Sequence, residues 1–333
     1  MGSNQASRQT MRAWTDETVF ATDKHPWFGA LPELDGADFS FAVLGDRCGM
    51  ATPGVFERAL EMVRDLKPDF VLSVGDLIEG YWREAADTHA EWDEIDARIA
   101  ATGLSFFQVT GNHDCGNPLM RDVWRERKGF EYYALRVGDA LFVVLNTEDP
   151  PAEMPDEMIE VIKRATANVH REPEAAEAHM RKFYEEIVAL LPPEQLHQMS
   201  RIDLAIGEAQ LAFVERVLAE HEDAQRVFVA MHKPGWKSDN AAYRRIAELL
   251  DHREHTLFAG HLHAMEYSRE GRGERIQLGR TGGLGHGSGP AHEHLFLWVN
   301  VRNGQPTYRV IHMDGVREAA EYAPQPAHME SHV

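Results

Sequence analysis

Five short segments carry side chains able to hold metal ions: Gly45-Asp46-Arg47-Cys48-Gly49, Gly75-Asp76-Leu77-Ile78-Glu79, Gly111-Asn112-His113-Asp114, Met231-His232-Lys233-Pro234 and Gly260-His261-Leu262-His263. Carboxylate and imidazole donors suit two hard or borderline dications such as Mn, Fe, Zn or Ni. A pair of ions about 3.5–4 Å apart can activate a shared hydroxide, clamp phosphoryl oxygens and stabilise a leaving group. The chemistry implied is phosphoryl transfer to water. A lone Gly-Asp or His-x-His is a weak signal, common in turns and on surfaces, so the argument rests on all five segments together.

Those donors meet only if the chain brings the segments to one edge. Apolar, β-rich runs predict strands at 39–44, 70–74, 105–109, 141–145, 226–231 and 256–259, with helices at about 53–66, 85–101 and 208–219 between them. This alternation predicts an α/β fold, a mainly parallel or mixed sheet flanked by helices. Ligands bind beyond the carboxyl ends of strands in such sheets, which would place Asp46, Asp76, Asn112-His113-Asp114, His232 and His261-x-His263 on one rim. Glycine before the functional residue permits a sharp turn that lifts the side chain off the sheet edge.

The rest of the chain reads as surroundings for that rim. Residues 1–38 form an N-terminal extension, 39–315 the main domain and 316–333 a polar tail. Within the domain, 151–206 is a charged, helix-prone insertion punctuated by Pro155, Pro173, Pro192 and Pro193. Its apolar positions Met158, Ile162, Phe183, Ile187 and Leu191 read as helix-packing residues of a small cap. Substrate selection is expected there, because long segments inserted between scaffold strands often carry specificity. A glycine-rich loop at 281–290 precedes two closing antiparallel strands at 295–301 and 307–312. His286 in that loop is expected to be exposed rather than to line the cleft, and His292 and His294 read as bystanders sharing one strand face.

Taken in order, GDRCG, GDLIE, GNHD, His232 and GHLH resemble the signature of calcineurin-like metallophosphoesterases, over the stretch from Asp46 to His263. The resemblance implies a mixed β-sandwich flanked by helices, an αββα arrangement, with a dinuclear site at one end. By the same resemblance Asp46 and His263 would hold one metal, Asn112, His232 and His261 the other, and Asp76 would bridge. His113 would protonate the leaving group and Asp114 would orient its imidazole. Arg47 would steady a phosphate oxygen or make a structural ion pair. The first motif departs from the usual Asp-x-His, since Cys48 stands where the histidine is expected. Purple acid phosphatases, which also lack that histidine, place a tyrosine three residues after the bridging aspartate. Glu79 holds that position here and is the expected replacement ligand, with Cys48 and water as the alternatives.

Bulk properties narrow the substrate. The net charge of −20, from 34 basic and 54 acidic residues, repels a polyanion, so extended nucleic acid is an unlikely partner. Bound dications would still attract a small phosphorylated substrate. No apolar run approaches a membrane span, and the first residues lack the basic and apolar regions of a signal peptide. With Cys48 and Cys115 as the only cysteines, the expectation is a cytoplasmic protein. Two alternatives stand beside a small-molecule phosphoesterase. A nuclease or nucleotide phosphodiesterase needs a basic or aromatic track outside the metals, and a noncatalytic scaffold of the same fold would normally have lost ligands.

Overall fold

The computed structural model describes residues 8–192, 201–285, 287–313 and 315–322, so His286 lies outside the described residues. Short strands β1 (Gln9–Thr10), β2 (Arg12–Trp14), β3 (Trp27–Phe28) and β4 (Glu33–Leu34) precede β5 (Phe39–Leu44). Next come α1 (Val55–Leu66), β6 (Phe70–Ser73), α2 (Ala85–Ala100), β7 (Phe106–Phe107), α3 (Pro118–Lys128), β8 (Tyr133–Val137) and β9 (Ala140–Val144). The helices α4 (Asp156–Arg171) and α5 (Ala176–Leu190) follow, then α6 (Glu208–Glu220), β10 (Arg226–Ala230), α7 (Ala241–Leu250) and β11 (Glu254–Ala259). The chain closes through β12 (Glu266–Glu270), β13 (Gly273–Gln277), β14 (Leu295–Arg302), β15 (Gln305–His312) and β16 (Gly315–Glu318).

Two mixed seven-stranded sheets result, ordered β16-β15-β14-β5-β6-β7-β3 and β12-β13-β11-β10-β9-β8-β2. Alternation along the strands explains how they stack. Phe39, Phe41 and Val43 of β5 enter the core between the sheets, while Ala42 and Leu44 face a second cluster built by α1, α2 and α3. Both faces are therefore buried, and β5 reads as a nearly continuous apolar run. The inter-sheet core is aromatic. Phe41 stacks on Phe70 at 4.9 Å within one sheet, Phe142 on Phe228 at 4.8 Å within the other, and Phe41 meets Phe142 edge-on at 5.5 Å. Helices α6 and α7 contribute Phe213, Val217, Tyr243 and Ile246 to the same cluster from beyond the second sheet. The architecture is an α/β sandwich with helices outside both sheets, as the sequence predicts.

The helices follow their patterns. Buried Phe56, Ala59, Leu60 and Val63 give α1 one apolar stripe, and Lys67 ends it in the left-handed conformation. In α3, Asn117 caps Met120 N and Pro118 occupies the first turn. Inside the 151–206 insertion, α4 and α5 pack against each other through Met158, Val161 and Ile187, with Ile162, Phe183 and Leu191 alongside. The chain ends join the sheets: β2 pairs with β8, β3 with β7 and β16 with β15. Among the described residues no helix is long and apolar enough to cross a membrane.

Candidate metal centre

Parallel pairing of β5, β6 and β7, and of β9, β10 and β11, points the carboxyl ends of these strands at one edge of the sandwich. The five motif segments leave the sheets there. Asp46, Asp76, His261 and His263 all take positive φ, a conformation costly for residues with a Cβ and typical of functional sites. The preceding glycines mostly answer a different demand from the sharp turn expected of them. Of Gly45, Gly75, Gly111 and Gly260, only Gly75 has positive φ. A Cβ at Gly111 would overlap the Asp76 carboxylate, and one at Gly260 would overlap Asp46 Oδ2. Space for a neighbouring carboxylate is what these two positions require.

One donor set centres on His232, which is fully buried. Its Nδ1 donates to the Val74 carbonyl at 2.8 Å, which leaves Nε2 to face the site. Around that Nε2 lie Asn112 Oδ1 at 3.0 Å, Asp76 Oδ2 at 3.1 Å and His261 Nδ1 at 3.2 Å. Asn112 presents its oxygen because its Nδ2 donates to the Tyr81 hydroxyl at 2.8 Å. Oxygen and nitrogen lone pairs so converged repel one another unless a positive charge sits among them. Burial disfavours charge on His232, yet the Asp76 carboxylate outweighs it and raises the imidazole to about 9. Burial likewise disfavours a charged Asp76, but His232 and His113 win and hold it well below the usual carboxylate range. His261 is driven down by burial and by His232, so it offers a neutral ring. A dication fits this focus, where its charge would replace the proton.

The second set adjoins the first. Asp46 Oδ1 accepts from His261 N at 2.8 Å and lies 3.5 Å from His263 Nε2. Asp46 Oδ2 is buried without a hydrogen-bond partner, which is an unmet demand for a cation or a donor. His263 is oriented by Nδ1 donating to the Leu284 carbonyl at 2.6 Å. Two groups of potential ligands, Asp76 with His232 and His261, and Cys48 with Asp76 and His113, each gather their donor atoms within 4.8 Å of one another. Asp76 belongs to both.

Glu79 and Asp114 stand differently from the sequence reading, while Arg47 makes the ion pair that was one of its two expected roles. The Glu79 carboxylate accepts from the backbone amides of Gly49, Met50 and Ala51, at 3.2, 3.1 and 2.6 Å, so its oxygens hold the loop after the first motif. Asp114 does not orient His113. It accepts from the amides of Asp76, Leu77, Ile78 and Gly111 at 2.8–3.2 Å and fixes the turn carrying Asp76. His113 is held instead by its own Nδ1, 2.7 Å from the Glu79 carbonyl. Arg47 reaches the Leu77 carbonyl at 3.3 Å and Glu91 at 3.6 Å while lining an adjoining cleft. Asp114→Ala would strand buried amides at about 1–3 kcal/mol each. Its unfolding midpoint in urea is therefore expected to fall well below wild type even with metals removed; an unchanged midpoint would return Asp114 to a role confined to His113.

Sequence reasoning missed several polar partners. Tyr81 orients Asn112 and meets the His113 ring edge-on at 4.7 Å. Buried Glu148, beyond β9, holds Lys233 Nζ at 2.9 Å, and Asn146 Oδ1 accepts from Glu148 N and Thr110 Oγ1. The position of Asn146 and Glu148 just after an apolar strand, as for the five motifs, was the available signal.

At the strand ends of this αββα sandwich, then, stand two groups of potential metal ligands that share Asp76. The chain belongs to the calcineurin-like phosphoesterase family, whose profile matches residues 19–265. Serine/threonine-protein phosphatase CPPED1 of Rattus norvegicus is 29% identical over 151 residues, which cover 43% of this chain and 46% of that protein. The match thus spans less than half of that relative's length. Among solved structures, a dimetal phosphatase from Danio rerio resembles this fold with a TM-score of 0.55 at 14% identity, covering 84% of this chain and 97% of its own. PhoD does so with a TM-score of 0.57 at 12% identity, covering 90% and 75%. These two likenesses are likenesses of fold.

Proposed function

We propose that this chain hydrolyses a phosphate monoester or diester of a small molecule at a centre of two transition-metal ions (Mn, Fe, Zn or Ni). The observation that carries this reading is the convergence of Asp76 Oδ2, Asn112 Oδ1 and His261 Nδ1 on His232 Nε2, beside the unpartnered Asp46 Oδ2. Asp46 and His263 would hold one ion and Asn112, His232 and His261 the other, with Asp76 shared between them. When bound, the pair supplies the activated nucleophile and the positive charge that phosphoryl transfer needs.

The remaining work falls to the chain. His113 gives its Nε2 proton to the leaving oxygen. Because Nδ1–H is committed to the Glu79 carbonyl, the imidazolium is the form that donates from Nε2. Asp114 acts one step back, fixing the amides around Asp76. A cleft of about 540 Å³ between α2 and α4, lined by Arg47, Trp82, Glu91, Lys163 and His170 among others, has the size of a small-ligand site. That Lys163 and His170 of the insertion line it supports a role for the insertion in selecting substrates. Both cysteines are buried and unpaired, which suits a reducing, cytoplasmic setting. The rat relative favours a second reading, a phosphoserine or phosphothreonine side chain as the ester.

Chelator-treated protein is expected to lose activity on aryl phosphate monoesters or diesters and to regain it with Mn²⁺. A panel adding small phosphorylated metabolites and phosphoserine peptides ranks the two readings. Metal-replete protein inactive on every ester would sink the proposal. His113→Ala should lower turnover about 10²–10⁴-fold, the usual worth of a positioned acid, with metal stoichiometry intact. Loss of a metal equivalent would make His113 a ligand instead.

A further inference from the structure

On the proposed assignment Asp46, Asp76 and His263 would give the first ion three ligands, while the Glu79 carboxylate is engaged by the amides of Gly49, Met50 and Ala51. We propose that Cys48 completes this site as a thiolate, so that the dinuclear centre pairs a sulfur-containing site with an oxygen and nitrogen site. The inference rests on the dinuclear reading above and adds the identity of a ligand to it.

Three observations place the sulfur. Cys48 Sγ lies within 4.8 Å of a carboxylate oxygen of Asp76, the ligand proposed to be shared by both ions, and equally close to a ring nitrogen of His113, which keeps its place as proton donor. The loop is pinned from several sides: Arg47 N and Cys48 N donate to the Asp76 carbonyl at 3.0 and 3.2 Å, and the Glu79 carboxylate takes the next three amides. Two glycines bring that loop against the other ligands. A Cβ on Gly49 would stand 3.0 Å from the His263 ring, and one on Gly283 would overlap the Cys48 carbonyl and crowd the same ring at 2.7 Å. Fully buried Asp46 Oδ2, without a hydrogen-bond partner, independently signals a missing cation beside this loop.

Glu79 then has a defined task. It holds the backbone of residues 49–51, and with it the position of Cys48, without touching the ion. Cys115, also buried, belongs to the cluster under α1, α2 and α3 and serves as an internal control. Metal binding exchanges the Cys48 S–H bond for a sulfur–metal bond and releases the proton to water. Thiolate would bias this site towards Zn²⁺ over Mn²⁺.

The full chain loaded with Co²⁺ tests this by absorption and by metal analysis. Wild type is expected to take up two equivalents and to show a near-ultraviolet sulfur-to-cobalt charge-transfer band. Cys115→Ser should keep the band. Cys48→Ser should lose the band together with one equivalent, and Cys48→Asp should recover the equivalent without the band. Wild type binding two equivalents with no sulfur band overturns the thiolate and leaves the dinuclear reading standing; a band that survives Cys48→Ser overturns it too. Wild type binding no metal overturns both. Where Cys48→Ser fails to fold, the wild-type and Cys115→Ser spectra together decide the matter, since a band kept without Cys115 can come only from Cys48.

Discussion

Asp76→Asn should leave a folded protein that has lost at least about 10³ in turnover, the scale of removing a group that stabilises transition-state charge. The substitution keeps volume and removes one negative charge. That charge stands in both groups of potential ligands, the one with His232 and His261 and the one with Cys48 and His113. It also sets the protonation of its neighbours, because the carboxylate raises His232 against the effect of burial. The fold should survive for a local reason. The Asp76 amide is held by Asp114, and the His113 amide donates to Asp76 Oδ1 at 2.9 Å, an oxygen that asparagine also presents. Far-ultraviolet circular dichroism should therefore match wild type while metal analysis shows less than one tightly held ion. Two ions retained with turnover within tenfold of wild type would remove Asp76 from the bridge.

The site was legible because its residues are chemically rare in combination and each follows an apolar strand. The central strands were legible for the same reason, since β5, β6 and β10 are buried on both faces and read as largely apolar runs, as does the 257–259 end of β11. What escaped is short or mixed. Residues 1–38 and 316–333, read as an extension and a tail, supply edge strands of two to four residues, too brief to show a period. The β12–β13 hairpin, with half-exposed Tyr267, Arg275 and Glu274, has little apolar alternation, though Gly271 marks its turn. Helix α3 had readable signals in Asn117, Pro118 and the spacing of Met120, Val123 and Trp124, but they adjoin the GNHD motif. Side-chain roles escaped for another reason. Whether Glu79 or Cys48 faces an ion depends on which backbone amides fold back over Glu79, and sequence spacing carries no such information.

The insertion tests how far the centre depends on distant packing. All candidate ligands lie outside residues 151–206, so the sequence alone suggests that replacing the segment would change substrate choice and spare the metals. The structure changes that expectation. Buried Met50 packs with Ala165, Val169 and Met180 of the insertion, and Leu284 joins the same cluster. Met50 donates its amide to Glu79 in the loop after Cys48, and Leu284 lends the carbonyl that orients His263. Both contacts would support the first ion, whereas His232, Asn112 and His261 donate to the Val74 carbonyl, the Tyr81 hydroxyl and the Asp46 carboxylate. Replacing residues 154–192 by a short linker should therefore weaken the first ion about 10–100-fold, the usual cost of losing support around a ligand, and leave the second nearly unchanged. Relative rates across an ester panel should shift as well, because the same excision opens the cleft that Lys163 and His170 line. Val169→Asp, which places a charge in a position only 1% exposed, should reproduce the metal effect without shortening the chain. Isothermal titration of chelated protein with Mn²⁺ resolves the two affinities. Two unchanged affinities in a folded variant, together with unchanged relative rates, would show that the insertion neither supports the centre nor chooses its substrate.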